Sequence, residues 1–310
     1  MLSRLSSLTL LLGVLAFVPG RAAEPFLRAN DTVALVGGED LVSASDDGTF
    51  ELLLQRALPQ YRLKLRCLAV EGDTVFEQPR DLNYPSIEQQ LDEVGATVVV
   101  AQFGQMESFA GTGRLPDFLS AYEKLIEHLR AGGKRRVILM LPEPFGVGDE
   151  VANPKVATRL NMADEQRKFY TQGIVELAQK LNLPTPLPPW TAAHTKSIQR
   201  DGVHLDAAGL KAAAWSLTNG LANTQAAALP ASPVDDALRT AIQAKNRYWY
   251  RYSRPQNWAF LNGDRTEQPS SRDHLDPSKR WFPEEMKQWL PLIDTKEQEI
   301  WGLAAKAAQP

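Results

Sequence analysis

Apolar positions along the chain follow two periodicities. Four short runs are nearly continuous: Thr32 to Val36 (TVALV) before Gly37-Gly38, Tyr61 to Val70 with Tyr61, Leu63, Leu65 and Cys67 alternating, Ala96 to Phe103 (ATVVVAQF) before Gly104, and Val137 to Leu141 (VILML) before Pro142. Their length, β-branched content and turn-residue borders predict strands, most of them buried. Other segments repeat at helical spacing: Phe50 to Leu58, Leu115 to Leu129, Lys168 to Leu181 and Ala207 to Leu221. In the second of these, Leu119, Tyr122, Leu125, Ile126 and Leu129 share one face. Asp206 is a plausible N-cap for the last. Leu183 to Trp190 carries four prolines and predicts a loop or a very short edge strand.

Strands alternating with helices indicate a three-layer α/β/α fold with a mostly parallel sheet. Such a fold places its site at the carboxyl ends of the strands. The α/β body is expected to span 31–225. Near Leu229 to Pro233 the composition shifts to Ala, Pro and Ser. Residues 233–310 then form a helical, aromatic-rich C-terminal extension. It is expected to begin with a helix from Asp235 to about Tyr252. Trp281, Trp289 and Trp301, with Met286 and Leu290, predict a final helix packed on the body.

Residues 1–22 read as a secretory signal. Arg4 precedes an apolar run from Leu8 to Val18, and Gly20-Arg21-Ala22 supplies small residues for cleavage after Ala22. An uncleaved anchor is the alternative, but the run is short for a membrane span. The expected location is therefore periplasmic or secreted, with no integral span after cleavage. The chain has 34 Lys+Arg and 37 Asp+Glu, a net charge of −3. Loss of Arg4 and Arg21 leaves 32 − 37 = −5. That balance argues against nucleic acid as a partner. A composition of 44% hydrophobic and 23% charged residues excludes disorder and multiple membrane spans. Cys67 is the only cysteine, so no intrachain disulfide can form.

Four peptides meet at the predicted rim: Gly37-Gly38-Glu39, Gly72-Asp73-Thr74, Gly104-Gln105-Met106-Glu107 and Asp201-Gly202-Val203-His204. Together they resemble the SGNH/GDSL hydrolase family, over about residues 31–221. The likeness is greatest to divergent secreted members of planctomycete type, whose C-terminal extension the tail from Lys245 to Asn257 also resembles. The resemblance implies a flavodoxin-like fold and hydrolysis of esters of acylated carbohydrate or lipid. In that family a Ser attacks the carbonyl, a His takes its proton and an Asp orients the His. The Ser N–H, a Gly N–H and an Asn side chain bind the oxyanion.

Residue by residue, His204, Asp201 and Gly72 match. The nucleophile position falls on Glu39 and the Asn position on Met106. Loss of one oxyanion donor alone costs on the order of 10²–10³ in rate, so weak or absent turnover is expected. Gln105 is a possible substitute amide donor. Ser43 and Ser45, expected in the loop beyond the strand, are possible displaced nucleophiles. Two functional classes remain: a weak or altered esterase, and a non-catalytic module that binds a small-molecule or glycan ligand in the remnant pocket.

Glu39, Asp40, Glu107 and Glu143 lack metal-ligand spacing and read as solvated charges. His128, His194 and His274 likewise lack it. Neither a metal nor an organic cofactor is expected. The basic-aromatic run from Asn246 to Tyr252 predicts rings packed on the body; the alternative is a sugar platform with Arg254, Asn257 and Trp258 as a lid.

Overall fold

The computed structural model describes residues 26–146, 153–189, 201–223 and 229–309. The expected signal segment and cleavage site, Trp190 and His194 lie outside the described residues. Four strands form one parallel sheet: β1 (Thr32–Gly37), β2 (Lys64–Cys67), β3 (Val98–Gln102) and β4 (Arg136–Met140), in the order β2-β1-β3-β4. Leu187 adds a single parallel bridge beside Met140, the short edge element expected from the proline-rich run.

Strands β1, β3 and β4 are largely apolar on both faces because helices cover both, whereas β2 carries Lys64 and Arg66, both paired with Glu297. Val33, Leu35, Val98, Val100, Ile138 and Met140 point into one core. The alternate positions Ala34, Val36, Val99, Ala101, Val137 and Leu139 point into the other. This period-two division is what makes the strand sequences read as unbroken hydrophobic runs. On the first face lie α1 (Glu39–Asp47), α2 (Thr49–Ala57) and α6 (Ala207–Ala222). On the second lie α3 (Ile87–Glu93), α4 (Leu115–Arg130) and α5 (Pro154–Lys180). The three-layer α/β/α architecture follows directly.

Two boundaries and one buried stripe differ from expectation. The segment after β1 is helix α1, not loop, so Ser43 and Ser45 are helical. Its sequence EDLVSASDD has few apolar residues, which hid the amphipathic pattern. Helix α5 begins at Pro154, well before Lys168, with Asn153 accepting the Lys155 N–H at 3.0 Å. That Asn-Pro pair is a start signal that the apolar spacing alone did not reveal. The buried stripe of α4 includes Phe118, while Leu119 is only partly covered.

The C-terminal residues form α7 (Asp235–Ser253), the short α8 (Trp258–Leu261), α9 (Trp281–Lys287) and α10 (Trp289–Ala307). The expected final helix is thus two. Met286 is buried, but Trp281 and Leu290 are exposed, so they are not packing residues. Leu238, Ile242, Ile300 and Ala304 join the first core, and Trp249 and Ile293 the second. The Trp249 ring is buried, donating its N–H to the Cys67 carbonyl at 2.7 Å, which fits the packing reading of the aromatic run. Cys67 beside it is held as a thiol: burial pushes its pKa up to about 11.

Candidate functional site at the β1–β3 crevice

The order β2-β1-β3-β4 places a topological switch between β1 and β3, where loops diverge to opposite faces and leave a crevice. A cavity of about 250 Å³ opens there. Its walls bring together Glu39, Gly72, Gln105, Met106 and His204. Asp201 stands behind His204. The four sequence blocks therefore do converge on one place.

Gly37 makes the approach of the first block possible. A Cβ there would lie 2.5 Å from the Gln102 carbonyl oxygen of β3, so only glycine lets the chain leave β1 at this point. Gly38 then caps α1, putting Glu39 and Asp40 in its first turn. Carboxylates are favoured there by the helix dipole. Glu39 accepts the Ser43 hydroxyl at 2.7 Å, one turn along. Neither Ser43 nor Ser45 lines the cavity.

Gly72 sits in the turn after β2 with φ of +83° and no atom near where a Cβ would be. Glycine is needed there for its left-handed backbone, not for space. Met106 follows β3 with its side chain half exposed. Gln105 donates its amide to the Glu143 carbonyl at 3.3 Å, so part of its donor capacity is already used.

His204 is held by Asp201 in a tight local turn. Asp201 Oδ1 accepts the N–H groups of Val203 (3.0 Å) and His204 (2.8 Å). Its Oδ2 lies 2.6 Å from His204 Nδ1. Partial burial pushes the Asp201 pKa up, but the His204 N–H and ring and the Val203 N–H outweigh it and hold the carboxyl below its usual range. An ionised Asp201 assigns the proton to Nδ1 and leaves Nε2 as the basic nitrogen. Gly146 N–H donates to the Gly202 carbonyl at 2.9 Å and ties this turn to the segment after β4.

Three carboxylates read as solvated are not solvated. Glu143 is fully buried. Glu107 is 5% exposed and bridges two site loops, accepting the Val75 N–H and the Gly104 N–H, each at 2.8 Å. Burial raises its pKa, against the pull of those N–H groups. Asp40 is 8% exposed and lies against the cavity. Burial, then repulsion from Glu39, raises its pKa to about 7, with His204 opposing. Sequence pattern missed the burial of all three, because charge in a polar stretch is silent about cover. Among the described residues no group of three His, Cys, Asp or Glu side chains is placed to hold a metal.

The proposed sugar lid is elsewhere. Trp258 is buried, stacks near Tyr84 (ring centroids 4.4 Å apart) and donates its N–H to the Leu82 carbonyl. Asn257 does not line the cavity. Arg254 does not line it either, but pairs at 2.9 Å with Glu71, which does.

No family model matches the sequence, and no curated protein matches it. Solved structures do. A gut microbial diltiazem-metabolizing enzyme matches with a TM-score of 0.50 and 14% identity, over 65% of this chain and 48% of its own. The chain therefore spans about half the length of that enzyme. A carbohydrate acetylesterase from Sinorhizobium meliloti matches with a TM-score of 0.47 and 12% identity, over 63% of this chain and 99% of its own. A G-D-S-L family lipolytic protein from Desulfitobacterium hafniense has a TM-score of 0.43 and 12% identity, over 62% and 100%. The likeness is one of fold alone: the chain shares a three-layer, parallel-sheet α/β architecture with the diltiazem-metabolizing enzyme.

Proposed function

We propose that this is an exported SGNH/GDSL hydrolase-type protein whose ester-hydrolysing site has been silenced at the nucleophile. The observation that carries this reading is the convergence of Glu39, Gly72, Met106 and His204 on one cavity, with Asp201 on His204 Nδ1. The imidazole and its orienting carboxylate form two-thirds of a nucleophile–base–orienter relay. Gly72 lines the same cavity, and by resemblance its N–H would serve the oxyanion. What the relay lacks is a hydroxyl to activate. By resemblance Glu39 holds that position; it lines the same cavity as His204, and a carboxylate offers no proton for the base to remove.

Two features support loss of catalysis rather than relocation. Ser43 donates to Glu39 from within α1, away from the cavity wall. Met106 presents a thioether, which donates no hydrogen bond, where the oxyanion needs a donor. A cavity of this size retains room for a small polar ligand, so the remnant serves as a binding module.

Fluorophosphonate labelling of the mature chain tests the reading. Intact-mass spectrometry is expected to show no adduct. A covalent adduct mapped to any serine, abolished in His204→Ala, would mean that a working nucleophile exists and that the site is not silenced.

A further inference from the structure

The crevice carries more negative charge than its own cations neutralise. Glu39, Asp40, Glu71, Asp73 and Glu107 all line it. Three of these are answered within the fold. Arg80 clamps Asp73 with two hydrogen bonds of 2.8 Å, Arg254 pairs with Glu71, and two backbone N–H groups hold Glu107. Glu39 receives only the neutral Ser43 hydroxyl. Asp40 is more than nine-tenths buried and accepts no hydrogen bond from any described residue. Buried carboxylates are ordinarily satisfied. One that faces a cavity with no donor from the fold is placed to receive a donor from a ligand.

The donor is not expected to be a metal ion, because no three ligating side chains converge among the described residues. The neutral walls suit an N–H₃⁺ group instead. Gln102 and Gln105 both spend amide N–H on backbone carbonyls, at 3.5 Å to Leu141 and 3.3 Å to Glu143, which leaves their side-chain oxygens as acceptors. An ammonium has three donors and no acceptor, so it matches a wall of carboxylates and amide oxygens. We propose that the crevice binds the primary ammonium group of a small organic molecule, with Asp40 as its main counter-charge and Glu39 as the second. This names the ligand class of the silenced site proposed above and rests on that reading.

Binding should be linked to protons. Asp40 titrates near pH 7 because burial and Glu39 raise it, against His204. The other charged groups around the crevice are Glu107 and the Glu71–Arg254 and Asp73–Arg80 pairs. An ammonium favours the ionised carboxylate, so acidification protonates Asp40 and weakens binding.

The test is titration calorimetry of the mature chain with three probes: n-butylamine, 6-amino-6-deoxyglucose and glucose. Both amines stay charged across about pH 5.5–8, since alkylammonium groups titrate like lysine. Saturable binding of either amine at pH 8, without binding of glucose, is the expected result, and the tighter amine tells an aliphatic ligand from an amino sugar. Affinity should fall about tenfold or more at pH 5.5, and by a similar factor in Asp40→Asn. Glu39→Gln, whose side chain is only partly buried, should lose less and guards against misfolding of the first variant. No amine binding up to about 50 mM, equal binding of glucose, or full affinity in Asp40→Asn with a normal melting curve overturns the proposal. A failed titration with unlabelled serines leaves the silenced-site reading standing, whereas a serine adduct removes that reading whatever the amines do.

Discussion

Asp40 and Glu107 are both buried carboxylates on the same crevice wall, and their neighbours give them opposite tasks. Glu107 is satisfied by two N–H groups and fixes the loops after β2 and β3 relative to each other. Asp40 has no such partner, so its ionised form is the costly one. The sign of its effect on stability follows. The folded protein holds the Asp40 proton up to about pH 7, whereas an unfolded chain releases it near 3.8. Stability is therefore unaffected by Asp40 below about pH 4 and falls as pH rises towards 7, by an amount on the order of a few kcal/mol. Asp40→Asn should melt higher than the wild type at pH 8, and the difference should shrink towards pH 4. Thermal melting across that range checks it; a variant that melts lower at pH 8 would show that Asp40 is satisfied after all. At this scale the sequence was informative about block positions, since Glu39, Gly72, Gln105, Met106 and His204 do meet. It was uninformative about cover. Asp40 and Glu107 stand in polar stretches, and no local pattern distinguishes a carboxylate facing water from one roofed by a neighbouring loop.

Among the elements, the strands were the most legible, because burial on both sheet faces writes itself as an apolar run. The segment 39–47 was the least, because a nine-residue helix with three small polar or acidic residues at its end has little periodicity. Helix α7 shows what a residue list cannot convey. Lys245 is fully buried, with Nζ 2.7 and 2.6 Å from the two Glu51 oxygens and 3.3 Å from the Leu65 carbonyl. Burial lowers its pKa, Glu51 counters, and Arg66 adds to the lowering. This pair ties α7 to α2 across the first face. Removing one partner leaves the other charge buried and alone. Glu51→Gln is expected to destabilise the chain by roughly 3–5 kcal/mol in urea unfolding, and Lys245→Met similarly. The double replacement Glu51→Leu with Lys245→Met should recover much of that loss. If each single variant unfolds like the wild type, the pair does not join the helices as described.

For the whole molecule, one crevice brings together the residues on which the proposed reading rests. The parallel sheet sets the place, through the switch between β1 and β3. Glycine at 37 lets the first block turn tightly over β3, and Asp201 fixes the imidazole. The expected export of the chain leaves the mature protein at −5, and the crevice shares that sign. The C-terminal residues supply Arg254 as the partner of Glu71 at its rim but no ring to its walls. These features agree with a site that binds rather than cleaves. The most direct measurement is steady-state hydrolysis of p-nitrophenyl acetate by the mature wild type, His204→Ala, and Glu39→Ser combined with Met106→Asn. The account predicts no turnover above buffer for the first two. It predicts measurable, His204-dependent turnover for the third, in which a hydroxyl and an amide return to the relay. Robust hydrolysis by the wild type that disappears in His204→Ala would contradict it.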